Sequence, residues 1–383
     1  MRRVVVTGMA GVTSLGEDWP TIRGAFEDGH TGIRYMEDWE RFTGINTRLA
    51  APVRDFSVED RFPRKKLRTM GRVAQLAVYA TEQALIDAGL LGDAVIGSGR
   101  TGVAYGSSFG SPDAVLGFFE LKKNGISRHL NATSYIQMMG HTTAVNIGMF
   151  FGATGRIIPT SSACTSGSQG IGYAFEAIRW NRADVMIAGG AEELDITDSA
   201  VFDTLYATST KNDQPHRSPR PFDRDRDGLV IGEGAGTLIL EEYERARARG
   251  ATIYAEIAGF GCNSDGNHIT QPQASTMQVA GSPSQIRSCG STPAARTRSI
   301  SAIASAWRAD LAWSTRWKKR PPGSRRRPGS IPWTIRSGTR FCCASPMATC
   351  SAAADTAPNS VPSTIGPVAG GWAWPEMAAA AGC

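Results

Sequence analysis

The sequence predicts an α/β protein with a largely buried sheet, and three observations support this class. Short apolar runs that suit strands recur along the first 260 residues and alternate with segments whose apolar residues have helical spacing. Two of the helical segments stop at a glycine, Gly89 and Gly152, as helices often do. Strands that are apolar throughout and are joined by helices are typical of a sheet covered on both faces.

The elements follow from these patterns in chain order. The first strand is expected at residues 4–6 and enters a glycine-rich turn with Gly8, Gly11 and Gly16. Buried strands are expected over residues 102–106 and 184–190, and an apolar run that can form a strand covers 156–159. Further strands are expected over 234–241 and 252–260. Helices are expected over residues 70–88, 144–151, 171–180 and, with a charged composition, 242–249.

The segment between the strand at 156–159 and the helix that follows it contains a candidate nucleophile. It reads TSSACTSGSQG over residues 160–170 and places Cys164 on a tight strand-to-helix turn, with Gly167 allowing the bend. The sulfur would lie near the free N–H groups and positive end of a helix, which favour a thiolate. Such a group can hold an acyl chain as a thioester. The other interpretation is an inert core cysteine, and the flanking Ser, Thr and Gly favour the nucleophile.

The composition of the chain changes near residue 278. Residues 279–383 hold 13 Lys and Arg against three acidic residues, whereas the first 278 hold 28 basic and 32 acidic residues. The same tail has six of the nine tryptophans, five of the seven cysteines and a single leucine. One interpretation is a basic, disordered arm that contacts nucleic acid or membrane. The other is a coding sequence read out of frame, which the Trp and Cys content favours because disordered arms are poor in such residues.

The first 278 residues suggest a cytoplasmic protein without a metal or cofactor. Cys164 and Cys262 are their only cysteines, which gives no disulfide framework, and no apolar run has the length of a signal peptide or a membrane span. The histidines lack metal-ligand spacing. Residues 223–228 resemble the start of a calcium loop, but Gly234 stands where the loop needs Glu, so a turn with Arg–Asp pairs is expected.

A basic cluster stands out against this acidic background. It can be the solvated start of a helix, or it can dock an acidic partner or a phosphate group through charge-assisted hydrogen bonds. Its members are Arg61, Arg64, Lys65, Lys66, Arg68 and Arg72.

Together these segments resemble the β-ketoacyl-acyl-carrier-protein synthases of the elongating type, in the thiolase superfamily. The resemblance covers residues 1–275, and Leu229 stands where the family usually has Phe. It implies two similar halves stacked as five layers, α-β-α-β-α. The matching segments, in the family's order, are residues 3–8, 160–170, 188–192 and 220–236, with a looser match at 263–268.

The resemblance also implies a reaction and its partners. The family performs decarboxylative Claisen condensation in fatty acid or polyketide synthesis: an acyl chain moves from acyl carrier protein to the cysteine, and malonyl-carrier protein then supplies the attacking carbanion. Cys164 matches the acyl acceptor, with its own N–H as an oxyanion donor. The family is homodimeric and needs no cofactor, nucleic acid or membrane. The carrier protein is expected to dock on Arg64, Lys65, Lys66, Arg68 and Arg72.

The resemblance ends where the composition changes. The family's two histidine motifs, HGTGT and GHxxGAAG, do not occur, and no histidine follows His268. We therefore expect residues 1–250 to form the nucleophile-bearing half, 251–278 to begin a second half that is otherwise missing or disordered, and 279–383 to form an out-of-family basic tail. The chain itself is expected not to condense. Two alternatives are a non-catalytic partner subunit like a chain-length factor, against which Cys164 argues, and a basic-tailed nucleic-acid binder.

Overall fold

The computed structural model describes residues 1–128, 130–264 and 266, which form nine strands and nine α-helices. The strands are β1 (Val4–Thr13), β2 (Arg34–Tyr35), β3 (Leu49–Ala51), β4 (Thr101–Gly106), β5 (Ile157–Thr160), β6 (Val185–Glu192), β7 (Ile231–Gly232), β8 (Gly234–Glu242) and β9 (Ala255–Glu256). The helices are α1 (Trp19–Glu27), α2 (Arg64–Leu67), α3 (Arg72–Asp87), α4 (Leu116–Asn124), α5 (Ala132–Gln137), α6 (Thr142–Phe151), α7 (Ser166–Arg179), α8 (Ile196–Asp203) and α9 (Tyr243–Ala248).

The main sheet has six strands in the order β5-β4-β6-β8-β1-β9. Strands β5, β4 and β6 are parallel, whereas β8 runs antiparallel to both β6 and β1. A small second sheet joins β2, β3 and β7. The parallel half brings the carboxyl ends of β4, β5 and β6 to one edge, which is where the candidate nucleophile follows β5.

Helices cover both faces of the main sheet. On one face Leu76 and Leu85 of α3 share a buried cluster with Val103, Ile187 and Ile239 from three adjacent strands. These strand residues alternate with neighbours that point to the opposite face, because successive side chains of a strand face opposite ways.

On the opposite face α7 provides the cover. Its residues Ala174 and Ile178 share a second cluster with Ala104, Met186 and Leu240. The result is an α-β-α arrangement, which confirms the predicted layered α/β class. The remaining two layers, expected from the second half, and the tail at 279–383 lie outside the described residues.

The predicted glycine-rich turn begins later than expected, because the chain turns only between Thr13 and Gly16. Strand β1 continues through Gly8 and Gly11 to Thr13, with a register shift against β8 between Val6 and Gly8. A Cβ atom at Gly8 would lie 2.4 Å from the carbonyl oxygen of Ala84 in α3. This glycine is therefore required for the close crossing of a helix over the strand, and not for a bend.

The other predicted elements agree with the structure to differing degrees. Helices α3 and α6 match their predictions, and α6 ends at Gly152, which has φ +72°. Strand β4 is buried at every position, as predicted. The strand expected over residues 252–260 is reduced to the two residues of β9, which pair with the edge of β1. No helix among the described residues has the length and apolar character that a bilayer span needs.

Candidate nucleophile site

The structure places Cys164 on the turn that joins β5 to α7. The helix begins at Ser166, with Thr165 as its N-cap, and the Cys164 side chain is exposed. This position excludes a sealed apolar core around the thiol. The residue before it, Ala163, has φ +50°. A residue with a Cβ atom rarely adopts this left-handed conformation, and such backbone strain is often found at functional sites.

Hydroxyl groups fix the shape of this turn. The Ser166 hydroxyl accepts a hydrogen bond from the backbone N–H of Ser162 at 2.9 Å and donates one to the carbonyl of Ala163 at 2.7 Å. The Thr160 hydroxyl donates to the carbonyl of Ser166 at 2.9 Å. These bonds close a loop around Cys164 and hold the strained backbone in place. The sequence carries a signal for this role in its run of Ser and Thr.

The glycines of the site permit close packing and do not form the bend. Gly167 lies inside α7, so its predicted role in the bend is wrong, and the left-handed residue is Ala163. A Cβ atom at Gly190 of β6 would lie 3.0 Å from the Cα of Gly167. One at Gly106 of β4 would lie 2.5 Å from the Cβ of Ser166. The missing side chains thus let the first turn of α7 rest directly on the strand ends.

Two neighbouring carboxylates lie at the end of β6. The Glu192 carboxylate accepts hydrogen bonds from the hydroxyl of Ser107 at 3.1 Å and the backbone N–H of Ser108 at 2.8 Å. Burial raises the pKa of Glu192, and these hydrogen bonds oppose the shift. Glu193 points elsewhere and accepts from the Ser111 hydroxyl at 2.6 Å and from the N–H of Val73 at 3.1 Å. Burial raises the pKa of Glu193 to about 6.

The basic cluster divides into two parts in the structure. Residues Arg64, Lys65, Lys66 and Arg68 are exposed on and beside the short helix α2. The ammonium group of Lys66 donates to the carbonyl of Phe150 at 2.7 Å and lies 4.3 Å from the centre of its ring. We call these four residues the exposed basic segment.

Arg72 has a different environment from the exposed basic segment. Its Nε and Nη2 atoms donate to the carboxylate of Glu233 at 2.6 and 3.0 Å, and Nη2 also donates to the carbonyl of Val53 at 2.8 Å. The side chain of Glu233 is only 3% exposed. The hydrogen bond that Arg72 donates to Glu233 is the main reason why the pKa of Arg72 is raised. The guanidinium group is thus committed to an internal partner.

One open surface depression is separate from the Cys164 turn. This depression of 550 Å³ is lined by residues of α4 and its neighbours, including Leu116, Phe119 and Lys123, and Cys164 is not part of it.

Residues 220–228 form turns in which Arg224 pairs with Asp225 at 3.2 Å, as predicted for the calcium-like segment. Among the described residues, no three His, Cys, Asp or Glu side chains are grouped as metal ligands.

Comparison with solved structures identifies the class of fold. The crystal structure of a β-ketoacyl synthase from Burkholderia phymatum STM815 matches with a TM-score of 0.72 and 58% identity, over 73% of this chain and 69% of that one. A structure described as AntDE:AntF, a type II PKS acyl-carrier protein in complex with its ketosynthase, matches with a TM-score of 0.62 and 28% identity, over 75% and 71% of the two chains. The fold is therefore thiolase-like, of the ketosynthase type.

Sequence comparison gives the family. The profile of the "Beta-ketoacyl synthase, N-terminal domain" matches residues 1–246. The 3-oxoacyl-[acyl-carrier-protein] synthase 2 of Vibrio harveyi is 38% identical over 276 residues, which are 71% of this chain and 65% of that protein. The chain belongs to the β-ketoacyl synthase family and spans about two thirds of the length of this relative.

Proposed function

We propose that this protein derives from a 3-oxoacyl-acyl-carrier-protein synthase that extends fatty acid or polyketide chains, with Cys164 as the acyl acceptor. The observation that carries the proposal is the exposed thiol of Cys164 on a strained, hydroxyl-braced turn at the start of α7. Membership of the β-ketoacyl synthase family supports the reaction class.

The turn suits the first chemical stage. The Sγ atom of Cys164 attacks the thioester carbonyl of an acyl-carrier protein, the acyl group becomes bonded to Sγ, and the carrier thiol leaves. The start of an α-helix stabilises negative charge that develops near it, and Cys164 lies two residues before the first residue of α7. The backbone N–H of Cys164 would donate to the oxyanion that forms.

The second stage makes the carbon–carbon bond. Malonyl-carrier protein loses carbon dioxide, and the resulting carbanion attacks the carbonyl carbon of the Cys164 thioester, which releases the thiol. In the family this stage uses two histidines, and neither of their motifs is present in this chain. We therefore infer that this chain accepts an acyl group and does not condense it.

The exposed basic segment is the proposed dock for the carrier protein. All four residues are exposed and can steer an acidic partner, and the Lys66 ammonium group also donates to the carbonyl of Phe150. A ketosynthase in complex with a carrier protein among the structural relatives supports this kind of partner. For Arg72, which was grouped with these residues, we propose an indirect contribution, since its guanidinium group holds Glu233 and Val53.

The proposal extends to assembly, organisation and location. Strand β5 is an edge of the main sheet, which leaves one side of its backbone open to pairing with a second copy in a homodimer.

Residues 1–250 would be the nucleophile-bearing half, 251–278 the start of the second, and 279–383 a tail outside the family. The end of the family match at residue 246 and the change in composition support these boundaries. The cytoplasm is the proposed location, from the cysteine content of the first 278 residues.

A two-stage assay tests the reaction. The chain is first incubated with an acyl-carrier protein whose acyl group is radiolabelled, and then with malonyl-carrier protein. We expect label on the protein in the first stage, its absence in Cys164→Ala, and no extended product in the second stage. Label that persists in Cys164→Ala would refute the assignment of the nucleophile, and an extended product would refute the inferred loss of condensation.

A further inference from the structure

Glu192 is joined to the nucleophile turn through two serines. Its carboxylate accepts from the Ser107 hydroxyl and the Ser108 N–H, and so fixes the loop that follows β4. The carbonyl of Ser108 in turn accepts a hydrogen bond from the hydroxyl of Ser161 at 3.3 Å. Ser161 is the first residue after β5 and stands three residues before Cys164.

The loop and the turn are also pressed together by a third segment. A Cβ atom at Gly140 would lie 2.9 Å from the Ser161 hydroxyl and 3.1 Å from the carbonyl oxygen of Ser107. A Cβ atom at Gly110 would lie 2.6 Å from the carbonyl oxygen of Met138. The Ser161 side chain and the loop after β4 thus both pack closely against the segment at Gly140, and a shift of that loop would be transmitted to the turn.

We propose that Glu192 is a positioning residue for Cys164, acting through Ser108 and Ser161 on the strained turn. The inference rests on the proposed role of Cys164 as acyl acceptor. The Glu192 carboxylate bonds Ser107 and Ser108, and its part is to hold the Ser108 carbonyl where the Ser161 hydroxyl can donate to it. A nucleophile displaced by about 1 Å can lose a large factor in rate, so a supporting bond of this kind has a measurable effect.

The test measures how fast iodoacetamide alkylates Cys164 in the full chain, with the peptide that contains Cys164 quantified by mass spectrometry. We expect Glu192→Ala to slow this reaction by about five-fold or more, because the turn loses its support. Glu192→Gln should react within about two-fold of the original chain, since its amide can accept from Ser108 and donate to Ser107. An unchanged rate in Glu192→Ala, or an equal loss in Glu192→Gln, would overturn the proposal.

Two further variants separate positioning from a general loss of structure. Glu193→Ala removes the adjacent carboxylate, which bonds Ser111 and Val73, and should leave the Cys164 rate unchanged. Ser161→Ala removes the last link at an exposed position and should slow the reaction as Glu192→Ala does, even if the latter fails to fold. The double variant of Glu192 and Ser161 should be no slower than either single one, because both act through one link. Additive losses, or an equal loss in Glu193→Ala, would contradict the inference.

Iodoacetamide needs no carrier protein and no acyl group, so this test is independent of the acylation assay. A chain that shows the expected pattern of alkylation rates but takes no acyl group would overturn the proposed function and keep the positioning role. A chain that is acylated, but whose alkylation rate is unchanged in Glu192→Ala and Ser161→Ala, would keep the proposed function and overturn the positioning role.

Discussion

The guanidinium group of Arg72 and the carboxylate of Glu233 form a two-pronged ion pair, with N–O distances of 2.6 and 3.0 Å. The pair ties the start of α3 to the segment before β8, and Glu233 also accepts from the backbone N–H of Val53 at 2.9 Å. One buried carboxylate thus joins the start of α3, the segment at Val53 and the link between β7 and β8.

Arg72→Ala should lower the free energy of unfolding by about 2–4 kcal/mol, because it leaves the carboxylate of Glu233 buried without its cation. Arg72→Lys should lower the free energy of unfolding by less, because an ammonium group keeps the positive charge but cannot form the two-pronged pair. Urea unfolding measures both changes, with Lys65→Ala as the exposed control. Equal stability of Arg72→Ala and Lys65→Ala would show that the pair does not form.

Removing Lys65 and Arg68 together should weaken the binding of an acyl carrier protein without changing stability. We expect an affinity loss of about ten-fold at low salt that shrinks as ionic strength rises, because exposed charges act through a screened field. Isothermal titration at two salt concentrations measures the loss. The matched control removes Lys122 and Lys123 of α4, and an equal loss in that variant would refute a specific dock on the exposed basic segment.

Glu193→Gln should make the protein more stable at alkaline pH and not at acidic pH. Burial raises the folded-state pKa of Glu193 to about 6 from its ordinary 4.5, so the folded state binds this proton more tightly than the unfolded chain does. The original protein therefore loses stability as the pH rises through this interval. The Glu193→Gln variant does not, because its amide group cannot ionise.

The expected gain for Glu193→Gln is about 2 kcal/mol at pH 8, from roughly 1.4 kcal/mol per pKa unit, and it should vanish near pH 4. Urea unfolding at several pH values measures it. A gain for Glu193→Gln that is the same at pH 4 and pH 8 would contradict the assigned pKa.

Gly8→Ala should destabilise the protein by about 1–3 kcal/mol or more, because the added methyl group has no space between β1 and α3. The nearest atoms, the Ala84 carbonyl oxygen and the Ala88 Cβ, would be 2.4 and 2.7 Å away. Gly24→Ala in α1 is the matched control, since its Cβ would meet nothing within 4 Å. That variant should be stabilised by up to about 1 kcal/mol. Thermal unfolding that ranks Gly8→Ala at or above the original chain would refute the close crossing.

The elements that the sequence predicted correctly have a periodic apolar pattern and a clear stop. Helix α3 has apolar residues at helical spacing and ends before Gly89, and β4 is buried throughout because helices cover both of its faces. Helix α4 was missed since several of its large apolar residues, such as Leu116 and Phe119, are exposed and no amphipathic pattern marks it.

The sequence predicts the position of the nucleophile, Cys164, but not the tertiary contacts and backbone conformation around it. The strand–Cys–helix order located Cys164, since neighbours in sequence remain neighbours in a turn. The partner of Arg72, Glu233, is 161 residues away in sequence and leaves no local signal. The sequence therefore places Arg72 with the neighbouring basic residues, although they are exposed and Arg72 is paired with a buried carboxylate. Ala163 carries no residue-type signal for a left-handed backbone, and only the tertiary contacts of the turn impose that conformation.

The most direct test of the account is site-resolved acylation. The full chain is incubated with an acyl-loaded carrier protein, digested, and analysed by mass spectrometry for the acyl mass on each cysteine peptide. We predict the acyl group on Cys164, its loss in Cys164→Ala, and full acylation of Cys164 in Cys262→Ala. An unmodified Cys164, or equal modification of Cys164 and Cys262, would contradict it.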